Sequence, residues 1–281
     1  MVNKDDLTTP FSGLTNPSGK HKDWYRIDFL RILLKEINAK KNLFPVDKYI
    51  KLYQKKYESL ELKERLVCIA DLLDEALAIP YAQQLKAFEP LLGKEWPNED
   101  GMFGYGFHLY PIAQFVEIHA LKDIPKSLDF IEELTKRFTG EWAIRTIANA
   151  DEKLTLKTMK AWAKDDNFHV RRLASEGLRA KLPWGKKIDW VNANPEKTLP
   201  IYNKLRNDKV LYVRRSVANS MGDMIKVDDE LAYTTLQKWF DGKHSKDNLW
   251  VIQHAIRTPV KKGVGKYMEL KEDVGKAMKK L

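Results

Sequence analysis

Cysteine is nearly absent: Cys68 is the single one in 281 residues. One thiol excludes an internal disulfide and a cysteine-built zinc site, fits a reducing compartment, and reads as core filler rather than a nucleophile. Long hydrophobic runs are missing too. The longest uncharged stretch, Gly101 to Val116, holds three glycines, a histidine and a proline, and is too short and broken to span a bilayer. The first 22 residues contain no apolar targeting core. The six histidines (His21, His108, His119, His169, His244 and His254) show no metal-ligand spacing, so no bound metal is expected. Gly101, Gly104 and Gly106 lack a preceding strand and a following Lys-Ser/Thr, so they make no phosphate loop, and Gly263 to Lys266 fails alike. No nucleophile elbow occurs, and nothing alternates at period two.

What is present is apolar bulk and positive charge. Hydrophobic residues make up 43% of the chain, with 11 Phe, 11 Tyr and 8 Trp, which excludes intrinsic disorder and suffices for a core without staples. The net charge is +10 and unevenly placed. Residues 160–220 hold 14 bases against 6 acids, whereas residues 1–159 are close to neutral. A concentrated basic segment inside a folded region is either the footprint of a polyanion partner, nucleic acid first, or a solvated Lys/Arg face.

Helical periodicity dominates. Asp23 to Asn38 sets Ile27, Leu30, Leu34 and Ile37 on one stripe, and Leu60 to Ala78, Ser127 to Phe138, Leu154 to Ala163, Val170 to Arg179 and Tyr212 to Lys226 read alike. The run Asp166-Asn167-Phe168-His169-Val170-Arg171-Arg172-Leu173-Ala174 recurs as Asp208 to Ala218, with Val213-Arg214-Arg215 in place of Val170-Arg171-Arg172. The two copies are 43 residues apart, within the HEAT/armadillo range. Looser copies begin at Glu141-Trp142 and Leu249-Trp250. Neither helix of such a pair buries its stripe alone, so the expected fold is all-α, HEAT-like helical repeats forming a curved α-α superhelix, or solenoid. The expected organisation is a flexible N-terminal tail over 1–22, one repeat domain over 23–262, and a basic tail or terminal helix over 263–281.

In the first Val-Arg-Arg helix the buried stripe turns Arg172, Glu176 and Arg179 onto a common face; in the second, Arg215, Asn219, Asp223 and Lys226 share one. Glu141 and Arg145 stand four apart in the earlier copy. These are either surface ion pairs and ties between neighbouring repeats, or a row of acids built for chemistry. Trp184, just past the helix-ending Pro183, is either a core plug or a platform facing a ligand.

Four stretches resemble the alkylpurine DNA glycosylases of the AlkC family, relatives of the AlkD glycosylases: Leu60 to Arg65 with Ile69-Ala70-Asp71; Thr135 to Arg145; Val170 to Arg179 running into Leu182-Pro183-Trp184; and Val213 to Asn219 with Asp223. The resemblance runs from about residue 25 to 262. It implies that Glu141, Glu176 and Asp223 are the active-site acids and Trp184 an aromatic wall against the substrate. It makes Arg145, Arg171, Arg172, Arg179, Lys181, Arg214, Arg215 and Arg257 phosphate ligands. The implied activity is excision of cationic alkylated bases from double-stranded DNA, 3-methyladenine foremost and 3-methylcytosine next, without a base-flipping pocket and without a cofactor. A cytoplasmic, nucleoid-associated monomer with no membrane partner is expected. Some members carry a further C-terminal immunoglobulin-like domain, and the sequence reads as a variant without it. Gly222 stands where the family often has Asn, and Arg179-Ala180-Lys181 where it tends to have Arg-Pro-Arg. The other class of function is a HEAT-repeat scaffold that binds DNA or protein without turnover.

Overall fold

The computed structural model describes residues 10–16, 18–39, 42–101, 103–242 and 245–281. All regular structure among them is helical, as the periodicity predicted. The chain divides into two compact units, residues 1–146 and 147–281.

The first unit holds α1 (Ile27–Asn38), α2 (Val46–Gln54), α3 (Leu62–Ala76), α4 (Tyr81–Phe88), α5 (Phe103–Gly106), α6 (Tyr110–His119) and α7 (Ile124–Thr135). The boundary falls inside α8 (Ala143–Ala150). Local signals start several of these helices. Glu61 and Glu64 form a reciprocal capping box at α3, and Asp123 accepts from the Lys126 amide ahead of Pro125 at α7. Helix α6 is buried almost all round, from Tyr110 to Glu117, and packs against α3. It lies in the stretch that the sequence shows as an uncharged, broken run; a fully buried helix carries no amphipathic stripe to reveal it. The expected N-terminal tail is partly packed. Phe11 is buried, stacked on His108 at 4.9 Å, where its ring is removed from water. Residues 1–9 and 17 of that tail lie outside the described residues.

The second unit is the repeat array. It contains α9 (Glu152–Trp162), α10 (Phe168–Glu176), α11 (Asp189–Ala193), α12 (Leu199–Leu205), α13 (Leu211–Met224), α14 (Asp229–Asp241), α15 (Lys246–Ala255), α16 (Arg257–Lys261) and α17 (Gly265–Met278). Helix α10 packs on α13 and α13 on α15, so the second helices of successive pairs stack. Small residues bring α10 and α13 together. The Ser175 and Ser216 hydroxyls meet at 2.7 Å, and the Ser220 hydroxyl donates to the carbonyls of Ser216 and Ser175.

The first arginine of each Val-Arg-Arg run ties one repeat to the next. Arg171 makes a two-pronged pair with Asp208, at 2.6 and 3.1 Å, and donates to the carbonyls of Asp165 and Asp166, both at 2.9 Å. Arg214 repeats the device, donating to the Asp208 carbonyl and pairing with Asp247 at 2.9 Å. Arg171 and Arg214, expected at phosphates, are therefore placed as internal staples, each charge paired with an aspartate of the array.

Both partners of the Arg171–Asp208 pair are nearly buried, so removing one strands the other. Arg171→Met is expected to lower unfolding free energy by about 3–5 kcal/mol, and Arg171→Met with Asp208→Leu to regain much of it. Urea unfolding tests this; a cost below about 1 kcal/mol for the single change would refute the staple.

Candidate active site

Two repeat helices in the second unit deliver their acids at the same end. Glu176 is the last residue of α10 and Asp223 lies in the last turn of α13; both are buried. A carboxylate at a helix C-terminus faces the negative end of the helix dipole, so neither is placed for helix stability. Cations offset that cost. A tightened turn past α10 puts the Arg179 amide on the Glu176 carbonyl and turns its side chain back. Arg179 Nη1 then reaches Glu176 Oε1 at 2.8 Å and its Nε reaches Asp223 Oδ2 at 2.9 Å, so one guanidinium bridges the two acids. Arg172 approaches Glu176 at 3.5 Å while lying over the Tyr212 ring at 4.7 Å, and Lys226 approaches Asp223 at 3.4 Å.

Burial pushes the Glu176 carboxyl upward, but the Arg172 and Arg179 charges, with the Ser216 hydroxyl, outweigh it and leave it below the ordinary glutamate value. Glu176 is thus an anion at neutral pH. Burial works the other way on Arg179, yet Glu176 and Asp223 raise it above the usual arginine value. Arg179 is part of the acid cluster.

Glu141 sits in the first unit, just ahead of α8 rather than on it, where the helix dipole favours an anion. The turn before it needs glycine: a Cβ on Gly140 would stand 2.5 Å from Ile131 Cγ2 and 2.8 Å from Thr135 Oγ1. Thr139 donates its hydroxyl to Glu141 at 3.0 Å. Burial, followed by the charges of Glu141 and Glu117, raises the Tyr110 phenol well above its usual value, so it stays protonated. Trp142 stacks on Tyr110 at 4.6 Å. Lys63 donates to Gln114 at 2.7 Å, pairs with buried Glu117 at 3.3 Å, and lies beside both rings. The Lys63–Glu117 group escaped the sequence reading, although an acid closing an otherwise uncharged apolar run was a usable signal. Arg145, expected at a phosphate, is 1% exposed, and its side chain belongs to the interior.

Trp184 is 60% exposed, which removes the core-plug alternative. The Gly185 amide bonds the Leu182 carbonyl at 3.2 Å, with Pro183 and Trp184 between them and Trp184 at φ +58°. Proline followed by a positive φ is the pattern of a type II turn, whose third position normally takes glycine or asparagine. The other non-glycine residue with positive φ, Asn42, is of the tolerant kind; Trp184 is not. The turn holds a large ring in solvent at a backbone cost of about 1–3 kcal/mol, which is a mark of function rather than packing. Lys181, Arg215 and Arg257 are exposed, as phosphate ligands require.

Among the described residues no group of three or more His, Cys, Asp or Glu is placed to hold a metal ion, and no helix is long and apolar enough to cross a membrane. His244 lies outside the described residues.

No family profile matches the chain. An uncharacterised protein of Bacillus subtilis strain 168, YhaZ, is 37% identical over 207 residues, which are 74% of this chain and 55% of YhaZ. The fold is similar to that of the Pseudomonas fluorescens alkylpurine DNA glycosylase AlkC, solved bound to DNA containing an abasic site analog. The TM-score is 0.80 at 29% identity, over 89% of this chain and 67% of that one. The chain thus spans about half the length of YhaZ and two thirds of AlkC. The resemblance therefore holds at the level of the fold, which is similar to that of AlkC.

Because Trp184 pays a conformational cost and buries little, Trp184→Gly is expected to leave stability unchanged or raise it by up to about 1 kcal/mol in urea unfolding. A loss near 3 kcal/mol, the size expected for a core tryptophan, would show the ring to be structural.

Proposed function

We propose that this protein is a monofunctional DNA glycosylase that releases small cationic alkylated bases from double-stranded DNA, 3-methyladenine first and 3-methylcytosine second, for base excision repair. The observation that carries the reading is the pair of buried carboxylates, Glu176 and Asp223, bridged by Arg179 at the ends of two repeat helices in an AlkC-like chain.

The chemistry suits ionised acids. An adenine methylated at N3 already bears a positive charge. When its bond to C1′ breaks, the electron pair leaves with the base and the base departs neutral, so no general acid is needed. The positive charge passes to the sugar as an oxocarbenium ion. Carboxylates near it stabilise that charge and orient a water whose oxygen bonds to C1′ and whose proton is accepted by the acid. Asp223 is assigned to the sugar and water, with Glu141 and Glu176 stabilising the cationic sugar and base. Exposed Trp184 serves as the aromatic wall. Lys181, Arg215 and Arg257, with Arg172 at the edge of the acid cluster, are assigned to the DNA backbone. Extrusion of the base into a pocket is not required when the acids reach the sugar from the backbone side.

The direct experiment is release of free bases from methylated duplex DNA, read by mass spectrometry. Wild type is expected to release 3-methyladenine, and Asp223→Asn to lose about 2–4 kcal/mol of barrier lowering, a rate loss of roughly 10²–10³-fold. In binding, Arg215→Gln is expected to reduce the slope of log K against log salt by about 0.9, whereas Arg171 contributes nothing to that slope. No release with salt-sensitive binding retained would leave a DNA-binding scaffold instead.

A further inference from the structure

Beside the acid cluster, α13, α15 and α16 bring together side chains that the reading above leaves partly unused. Trp250 and His254, one turn apart on α15, stack with centroids 4.8 Å apart and planes 14° from parallel. Arg257, opening α16, turns back toward α15 and α13. Its Nη1 donates to the His254 carbonyl at 2.6 Å and its Nη2 to Asn219 Oδ1 of α13 at 3.0 Å. Both acceptors are neutral, so these bonds fix the guanidinium without cancelling its charge. Arg215, one turn before Asn219 on α13, is exposed on the same face.

The surroundings of the His254 ring are positive. Helix α15 packs against α13, α14, α16 and α17. The charged groups acting on the ring are Arg257 from α16 and Arg215 from α13, and no carboxylate is among them. The nearby acids are engaged elsewhere: Asp247 of α15 with Arg214, Asp223 of α13 with Arg179 and Lys226, and Asp229 and Glu230 of α14 with Lys266 of α17. Burial, then these two cations, hold the imidazole down at about 4, so it is neutral at physiological pH.

We propose that Arg215, Asn219, His254 and Arg257 form a seat for one backbone phosphodiester of DNA, and that His254 takes up a proton from solvent when the seat is filled. The inference rests on the DNA-glycosylase reading and adds a specific anion site to it. A phosphodiester supplies the negative charge that the group lacks. It offsets the repulsion from Arg215 and Arg257 and accepts a bond from the protonated ring, while the face of Trp250 favours the imidazolium stacked on it. Asn219 lies four residues before Asp223 on α13, so a phosphate held here sits about one helical turn from that carboxylate. The seat therefore sets where a strand passes the acids.

The sign of the pH effect follows. If the ring titrates near 4 in the free protein and higher in the complex, binding takes up a proton between those two values, and affinity rises as pH falls. The test measures Kd by fluorescence anisotropy at fixed ionic strength, from pH 7.5 to 5.5, for a duplex carrying an abasic-site analogue. Wild type is expected to bind several-fold more tightly at pH 5.5, with a slope of at most about tenfold per pH unit, and His254→Gln to lose that slope. As a measurement that needs no variant, the ¹⁵N shifts of the His254 imidazole are expected to move toward the protonated form when the duplex is added near pH 6. Equal slopes in wild type and His254→Gln, or an imidazole unmoved by DNA, would overturn the seat while leaving the glycosylase reading intact. Failure of wild type to bind the duplex at any pH would overturn both.

Discussion

Burying Glu176 is the constraint on which the second unit turns. An isolated carboxylate in that position would give up its charge; it keeps it because Arg172 and Arg179 are held close. Arg179 does this while also holding Asp223, so the ends of α10 and α13 cannot separate without taking that guanidinium from Asp223. That bridge depends in turn on how near the two helices lie. Ser175, Ser216 and Ser220 occupy their interface where larger side chains would wedge them apart. On the other side of α13, a Cβ on Gly222 would come within 3.2 Å of the Ala255 carbonyl, so the small residue beside Asp223 permits the approach of α15.

The Val-Arg-Arg repeat divides labour between adjacent residues with the same side chain. A helix turns 100° per residue, so the two arginines leave it in different directions. Arg171 and Arg214 accordingly end on Asp208 and Asp247, while Arg172 lies over Tyr212 beside Glu176 and Arg215 is exposed. The excess of bases over 160–220 overstates the field available to an external anion, because several of those charges are neutralised within the array. What remains outward is a smaller set, in which Arg215 and Arg257 share the neighbourhood of His254.

The repeat unit was legible because each copy carries an amphipathic stripe, a helix-starting residue and the same dipeptide. The helix predicted over Leu154 to Ala163 is observed as Glu152–Trp162, and Glu176 and Asp223 could be set on matching faces from spacing alone. The first unit was less legible. Helix α6 is apolar on every side, and its polar exceptions, Gln114 and Glu117, acquire meaning only from Lys63, 51 and 54 residues away. Spacing also gave no means to separate Arg145, which is interior, from Arg215, which is not. For Trp184 spacing left a core plug and an outward platform both open: α10 already ends at Glu176, and the turn at Pro183 throws the ring outward.

The protonation state of the site bears on which bases such an enzyme accepts. Releasing an ordinary purine demands an acid that protonates the leaving base, hence a carboxyl raised toward neutrality. Glu176 is biased the opposite way, by two arginines and a serine hydroxyl, and the same arrangement makes Arg179 harder to deprotonate. Under the proposed reading the substrate must therefore bring its own positive charge, which normal bases lack. Discrimination then comes from the bond rather than from a shaped pocket. A cationic base leaves readily when the sugar cation is stabilised, whereas an uncharged base at the same site meets in Glu176 an anion that gives it no proton.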